Sequence, residues 1–169
     1  MPGRDKITSE GKKFFKQIEE LKKLQVRVGF QHGEDSGADG KADLVDIAAW
    51  NELGTEYIPS RPFLRQSVDN NGAQIAATCK KLIAAIVKGE ATARDALQTI
   101  GVMQKRIIQK TIRDGDFEPN APITVEGGWM RRGGKAFYVK GKGSPATPLI
   151  DTGRLRQSVS FVIKEKGGD

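Results

Sequence analysis

Few residues in this chain are of a type and spacing that could do covalent chemistry. The one histidine, His32, sits in the polar run "QHGEDSGADGK", and the one cysteine, Cys79, falls on an apolar helical face. A zinc site needs several ligands at workable spacing, which a lone histidine in a Gly/Asp loop does not provide. Asp35 and Asp39 lack the ligand pattern and terminal glutamate of a calcium loop. Cys79 reads as a core thiol rather than a nucleophile. There is no glycine-rich phosphate loop ending in Lys-Ser/Thr and no Gly-x-Ser-x-Gly elbow. Glu52 and Glu56 form a carboxylate pair on paper, but they flank a helix stop and are expected to be solvated. The residues therefore predict no enzyme, no cofactor and no metal, and a single cysteine excludes an intrachain disulfide.

What remains is recognition chemistry, in two stretches. The first is "WNELGTEYIPSRPFLR", residues 50–65, in which Pro59 and Pro62 stiffen a segment rich in aromatics and arginines. Rigid aromatics and arginines are typical anchors of protein interfaces. Trp50 and Phe63 are expected to hold the segment inward. Tyr57, Arg61, Phe63 and Arg65 are the expected interface residues here, joined by Arg154 and Arg156 further on. Arg154 and Arg156 are candidates to pair across subunits with acids such as Asp46 or Glu52.

The second stretch interleaves aromatics with bases. Trp129, Arg131, Arg132, Lys135, Lys140 and Lys142 are the candidate nucleic-acid contacts, since stacking plus phosphate neutralisation uses this mixture. The spacing fits no reader motif. The alternative is a flexible hairpin whose aromatics pack on the domain or on a neighbouring subunit. Charge is distributed accordingly. The net charge is +7, yet residues 1–126 hold 19 Lys/Arg against 18 Asp/Glu, while residues 127–169 hold 9 against 3. A basic C-terminal quarter on a neutral body suits an anionic neighbour, either nucleic acid or an acidic protein surface.

Those residues must be positioned by a chain of 169 residues, long enough for one domain with its own core. Mean hydropathy is −0.47 and no apolar run is long enough to span a membrane. The charged segment Met1–Lys13 has no apolar stretch of the secretory type. Periodicity predicts a helix over 9–24, capped by Thr8 or Ser9, with Phe14, Phe15, Ile18, Leu21 and Leu24 on one face. "VRVGF" alternates as a strand. Residues 31–42 read as an exposed loop. A short helix follows, with Asp43 as cap and Gly54 as stop. A long helix is predicted from about residue 60 to Lys88, weakened at "NNG" (70–72), and another from Thr92 to about Arg113; a turn at "KGEAT" makes them an αα-hairpin. "APITV" and "KAFYV" read as strands flanking a basic tip, "EGGWMRRGG". A capped helical turn and a final strand close the chain, with Asp151 and Thr152 as capping residues. The predicted class is α+β: a small, mostly antiparallel sheet packed on a long helical hairpin, with a Gly-rich basic hairpin or arm. It is taken as one domain over 1–169 with exposed segments at 31–42 and 115–147.

Three blocks also carry a resemblance. "IAAWNELGTEYIPSRPFLR" (47–65), "PNAPITV" (119–125) and "PLIDTGRLRQSVSFVI" (148–163) are similar, in this order, to the signature stretches of the tailed-bacteriophage neck and tail-completion family, also described as minor tail or head–tail joining proteins. The resemblance runs from about residue 25 to 163. It implies a structural virion protein of a phage or prophage, made in the host bacterial cytoplasm and located at the neck or tail. Its implied partners are further copies in a ring, often of six, a tail-tube or tail-terminator protein, and head-closure or connector proteins. It implies no cofactor and no membrane. Residues 127–143 are longer than the resemblance leads one to expect between the last two blocks.

Overall fold

Thr8 opens the first helix by accepting a hydrogen bond on its hydroxyl from Gly11 N at 3.1 Å, which satisfies one of the free amides at the helix start. In the computed structural model, which describes residues 7–31, 43–141, 147–150 and 153–167, this helix, α1, spans Ser9–Lys23. Phe14, Ile18 and Leu21 are half-buried along it, whereas Phe15, expected on the same face, is 55% exposed. The chain then passes directly into β1 (Leu24–Gly29).

The remaining elements are α2 (Leu44–Leu53), α3 (Phe63–Asp69), α4 (Gly72–Lys88), α5 (Ala93–Asp114), α6 (Pro122–Val125), β2 (Gly127–Arg132), β3 (Lys135–Lys140), α7 (Arg154–Gln157) and β4 (Ser160–Glu165). The class is α+β, with two antiparallel sheets of two strands each. The candidates His32, Asp35, Asp39, Lys142, Asp151 and Thr152, and nearly all of the loop 31–42, lie outside the described residues.

Contacts divide the chain into two compact units, Met1–Gly29 with Gln66–Ile107 and Ser160–Asp169, and Phe30–Arg65 with Ile108–Val159. Both are stitched from segments distant in sequence, a division the sequence reading did not contain. In the first unit β1 pairs with β4 from Leu24↔Glu165 to Gly29↔Ser160, so the two strands predicted at opposite ends of the chain do pair with one another. The ladder lies on α5: Phe161 packs so closely over Gly101 that a Cβ there would sit 2.8 Å from the ring Cγ. Gln17 of α1 accepts a bond from Ala93 N at 2.7 Å, fastening α1 to the first residue of α5. Leu24, Ile86, Ala93, Ala96 and Leu97 are buried.

The weak point at 70–72 does divide the predicted long helix. α3 ends at Asp69 and α4 starts at Gly72, with Asn71 Nδ2 bonded to Ser67 O at 3.0 Å. The next helix is capped by reciprocal bonds: Thr92 Oγ1 accepts from Asp95 N (3.2 Å), and Asp95 Oδ2 accepts from Thr92 N (3.0 Å).

In the second unit Phe63, Ile108, Ile112, Leu155 and Val159 are buried, and Phe30 meets Phe63 edge-on at 5.9 Å. Two sequence expectations are corrected here. "APITV" is not a strand: Pro122 takes the first position of a helical turn, where a missing N–H costs nothing. "GWMRR" is not a tip but strand β2 itself, paired with β3 from Gly127↔Lys140 to Arg132↔Lys135. The turn is Gly133–Gly134, with φ of +58° and +77°. Positive φ at both positions defines the tight hairpin turn whose twist matches the strands.

Candidate functional site

The second unit presents two surfaces built from the stretches singled out in the sequence. The first is an elbow between α2 and α3. Asp43 caps α2, its carboxylate accepting from Val45 N. Gly54 stops it at φ +79°, where a Cβ would crowd Ser60 N at 3.0 Å. Thr55 then folds the chain back, its hydroxyl accepting from Tyr57 N and Ile58 N while its own N–H reaches Ile58 O at 2.8 Å. Ser60 Oγ donates to Glu52 O at 2.9 Å and Arg61 N to Asn51 O at 2.6 Å. Five of the seven N–H groups of residues 54–61 thus have a partner, which stiffens this irregular segment.

Glu52 is not solvated as expected. Its two carboxylate oxygens accept from Leu64 N (2.8 Å) and Arg65 N (3.0 Å), capping α3 from the end of α2. A carboxylate is favoured there by the unsatisfied amides and the helix dipole. This engagement also removes Glu52 from the acids available to Arg154 or Arg156.

Arg61 is the centre of the elbow and corrects the expectation that it faces a partner. It is 5% exposed. Its Nε donates to Glu118 O (2.8 Å), Nη1 to Asn51 Oδ1 (3.3 Å), and Nη2 to Pro119 O (3.0 Å) and Asn120 Oδ1 (3.2 Å). Burial draws its pKa down from the ordinary guanidinium range, and the nearby Glu118 charge draws it back up. Phe63 is likewise no interface residue: it is fully buried. Trp50, expected inside, is 43% exposed, because α2 turns Ala48 inward instead. Tyr57 is 79% exposed and Arg65 lies on the surface. Residues 46, 49, 50 and 53 share the outer face of α2, and Leu53 is 71% exposed.

The second surface is the β2–β3 hairpin. Side chains alternate across it. Trp129 and Tyr138 pair on one face, edge to face at 5.6 Å, and both are exposed. Met130 and Phe137 pair on the other face, the one shared by Gly128, against which Ile123 of α6 lies. Arg131, Arg132, Lys135 and Lys140 are all exposed. The expected interleaving is therefore real in space as well as in sequence. Arg154 is exposed and Arg156 half-buried on α7, where the Arg156 carbonyl accepts from Gln109 Nε2 at 3.1 Å.

Among the described residues no group of three His, Cys, Asp or Glu side chains is placed to hold a metal ion, and no helix is long and apolar enough to cross a membrane. Sequence reasoning missed Asn51, Glu118, Pro119 and Asn120 as the acceptors of Arg61. The signal for them was the "PNAP" block itself: the carbonyls at 118 and 119 lie between α5 and α6 and so have no helical partner. Compared with protein-family models, curated proteins and solved structures, the chain matches none.

Proposed function

We propose that this chain is a structural virion-assembly protein of a tailed phage or prophage. It forms or completes the neck or tail terminus at the head–tail junction by ring-like self-association. The observation that supports this reading is the Arg61 lock. It fastens the first of the three resembling blocks (47–65) to the carbonyls leading into the second (119–125). The two blocks thus form one braced scaffold that holds Leu53 and Tyr57 outward, and an exposed apolar surface on stiff backbone suits a protein neighbour. The test is solution mass, alone and with the purified tail-tube protein, together with incorporation into virions. Association in either setting supports the reading. A chain that stays monomeric, binds no tube and is dispensable for infectious particles overturns it.

A second reading is a DNA-binding accessory protein, favoured by a hairpin with four exposed cations and no acid between residues 127 and 141. It predicts DNA affinity that falls steeply with salt and disappears on replacing Arg131, Arg132 and Lys135 with alanine.

A further inference from the structure

We propose that the β2–β3 hairpin of one copy docks on the α2–elbow face of the next copy, making a head-to-tail contact. The proposal deepens the self-association reading above by assigning its two complementary surfaces.

The charges complement each other. Residues 43–60 contain Asp43, Asp46, Glu52 and Glu56 and no lysine or arginine, whereas residues 127–141 contain Arg131, Arg132, Lys135 and Lys140 and no acid. Asp43 and Glu52 cap helices, so Asp46 and Glu56 are the acids presented outward. Neither Asp46 nor Glu56 has an ion-pair partner among the described residues.

The apolar groups complement each other as well. Trp50, Leu53 and Tyr57 stand exposed among the acids, and Trp129 and Tyr138 among the bases, at 73% and 59% exposure. Aromatic anchors ringed by opposite charge on the two sides are the usual composition of a specific contact.

The hairpin also has the energetics of an element awaiting cover. A two-stranded ribbon is marginal alone in water, and among the described residues α6 lies against its Gly128 face. At its tip Arg132 stands directly opposite Lys135, a like-charge pair that weakens the ribbon until an anion lies beside it. A nucleic-acid strand would supply that anion but would leave the acidic aromatic face of α2 without a role. A second copy accounts for both. Because the two patches differ, the contact is heterologous, and repeated copies close a ring or extend as a fibre.

The experiment is charge reversal in the full chain. One variant carries Arg131→Glu, Arg132→Glu and Lys135→Glu; another carries Asp46→Lys and Glu56→Lys. All substituted side chains are exposed, and circular dichroism with thermal melting verifies that each variant folds. Sedimentation equilibrium then follows mass against concentration. Wild type associates. Each variant alone weakens association by about 100-fold, the scale of close interfacial charge pairs. An equimolar mixture restores it, because every hairpin then finds an oppositely charged face on the other species. Wild-type association untouched by either variant overturns the pairing while leaving self-association standing. Wild type monomeric at every concentration overturns the pairing and removes the support it lends to the ring. Duplex DNA binding that the hairpin variant abolishes, with self-association unchanged, assigns the hairpin to nucleic acid and overturns the proposal.

Discussion

Replacing Arg61 with alanine separates a structural lock from a partner contact. The guanidinium makes four hydrogen bonds, two of them to main-chain carbonyls of Glu118 and Pro119. Glu118 and Pro119 are themselves exposed, so water can reach their carbonyls, and losing the charge-assisted bonds costs ~2 kcal/mol rather than the full penalty of two buried, unsatisfied groups. Lost contacts of the aliphatic stem add to this, and water entering the gap subtracts. The expected loss is ~2 kcal/mol, a large share of a typical domain's stability. In urea, with a slope of about 2 kcal/mol/M, the midpoint falls by roughly 1 M. Arg61→Lys recovers only part of the loss, because one ammonium cannot span four acceptors held in a planar fork. The assay is equilibrium urea unfolding by far-UV circular dichroism. A midpoint for Arg61→Ala within about 0.3 M of wild type, beyond extrapolation error, refutes the lock. If assembly is lost while that midpoint holds, Arg61 contacts a partner and its buried setting has been misjudged.

Four further outcomes follow from the geometry. Gly→Ala inside a helix ordinarily stabilises, but Gly101→Ala meets Phe161 and is expected to destabilise by about 1–3 kcal/mol by thermal melting. In a Phe161→Val background the sign reverses, and no reversal sinks the packing argument. Glu52→Ala leaves Leu64 N and Arg65 N uncapped and costs ~1 kcal/mol in urea, with loss of helical signal at α3. Asp95 is held below the usual carboxylate range, first by the Thr92 hydroxyl and then by the Thr92 N–H. Its stabilisation is therefore present above the ordinary range and lost as pH falls through the lower folded value. Asp95→Asn or Thr92→Ala should flatten that part of the acid unfolding curve, and an unchanged curve assigns the acid lability elsewhere. Leu53→Asp with Tyr57→Ala, both exposed, should leave the melting temperature within about 2 °C, since exposed sites contribute little to stability, and weaken association.

Helices were legible in the sequence because their signals are local. The cap at Thr8, the cap and stop at Asp43 and Gly54, and the break at 70–72 all fall where residue type and periodicity place them. The pairing of the terminal strands was legible only in part: two alternating strands had to pair with each other or with the hairpin, and they pair with each other. The errors came where the deciding contact is distant. Arg61 looks like a surface residue until carbonyls 57 and 58 positions later are brought to it. Glu52 looks solvated until the chain doubles back and offers it two amides. The hairpin was misregistered because β-branched residues drew attention to "APITV", while the Gly-Gly pair with positive φ marked the true turn. The basic face was legible as composition, and the acids of α2 were legible as candidate partners for cations, but not that Glu52 is taken up by the α3 amides while Asp46 stays exposed.

The β1–β4 ladder carries a consequence for synthesis. β1 is made early and its ladder partner among the described residues, β4, about 130 residues later. At about 5–20 residues per second, the ribosome leaves β1 an open edge for several seconds or more. During that interval the Val26 and Val28 strand is a template for any extended chain nearby. The flanking lysines of α1 and Arg27 within the strand act as gatekeepers against such mispairing. Production of this protein should therefore be limited by the wait for its final strand, and supplying a β4 peptide in trans should raise the soluble yield of a chain cut after Val159.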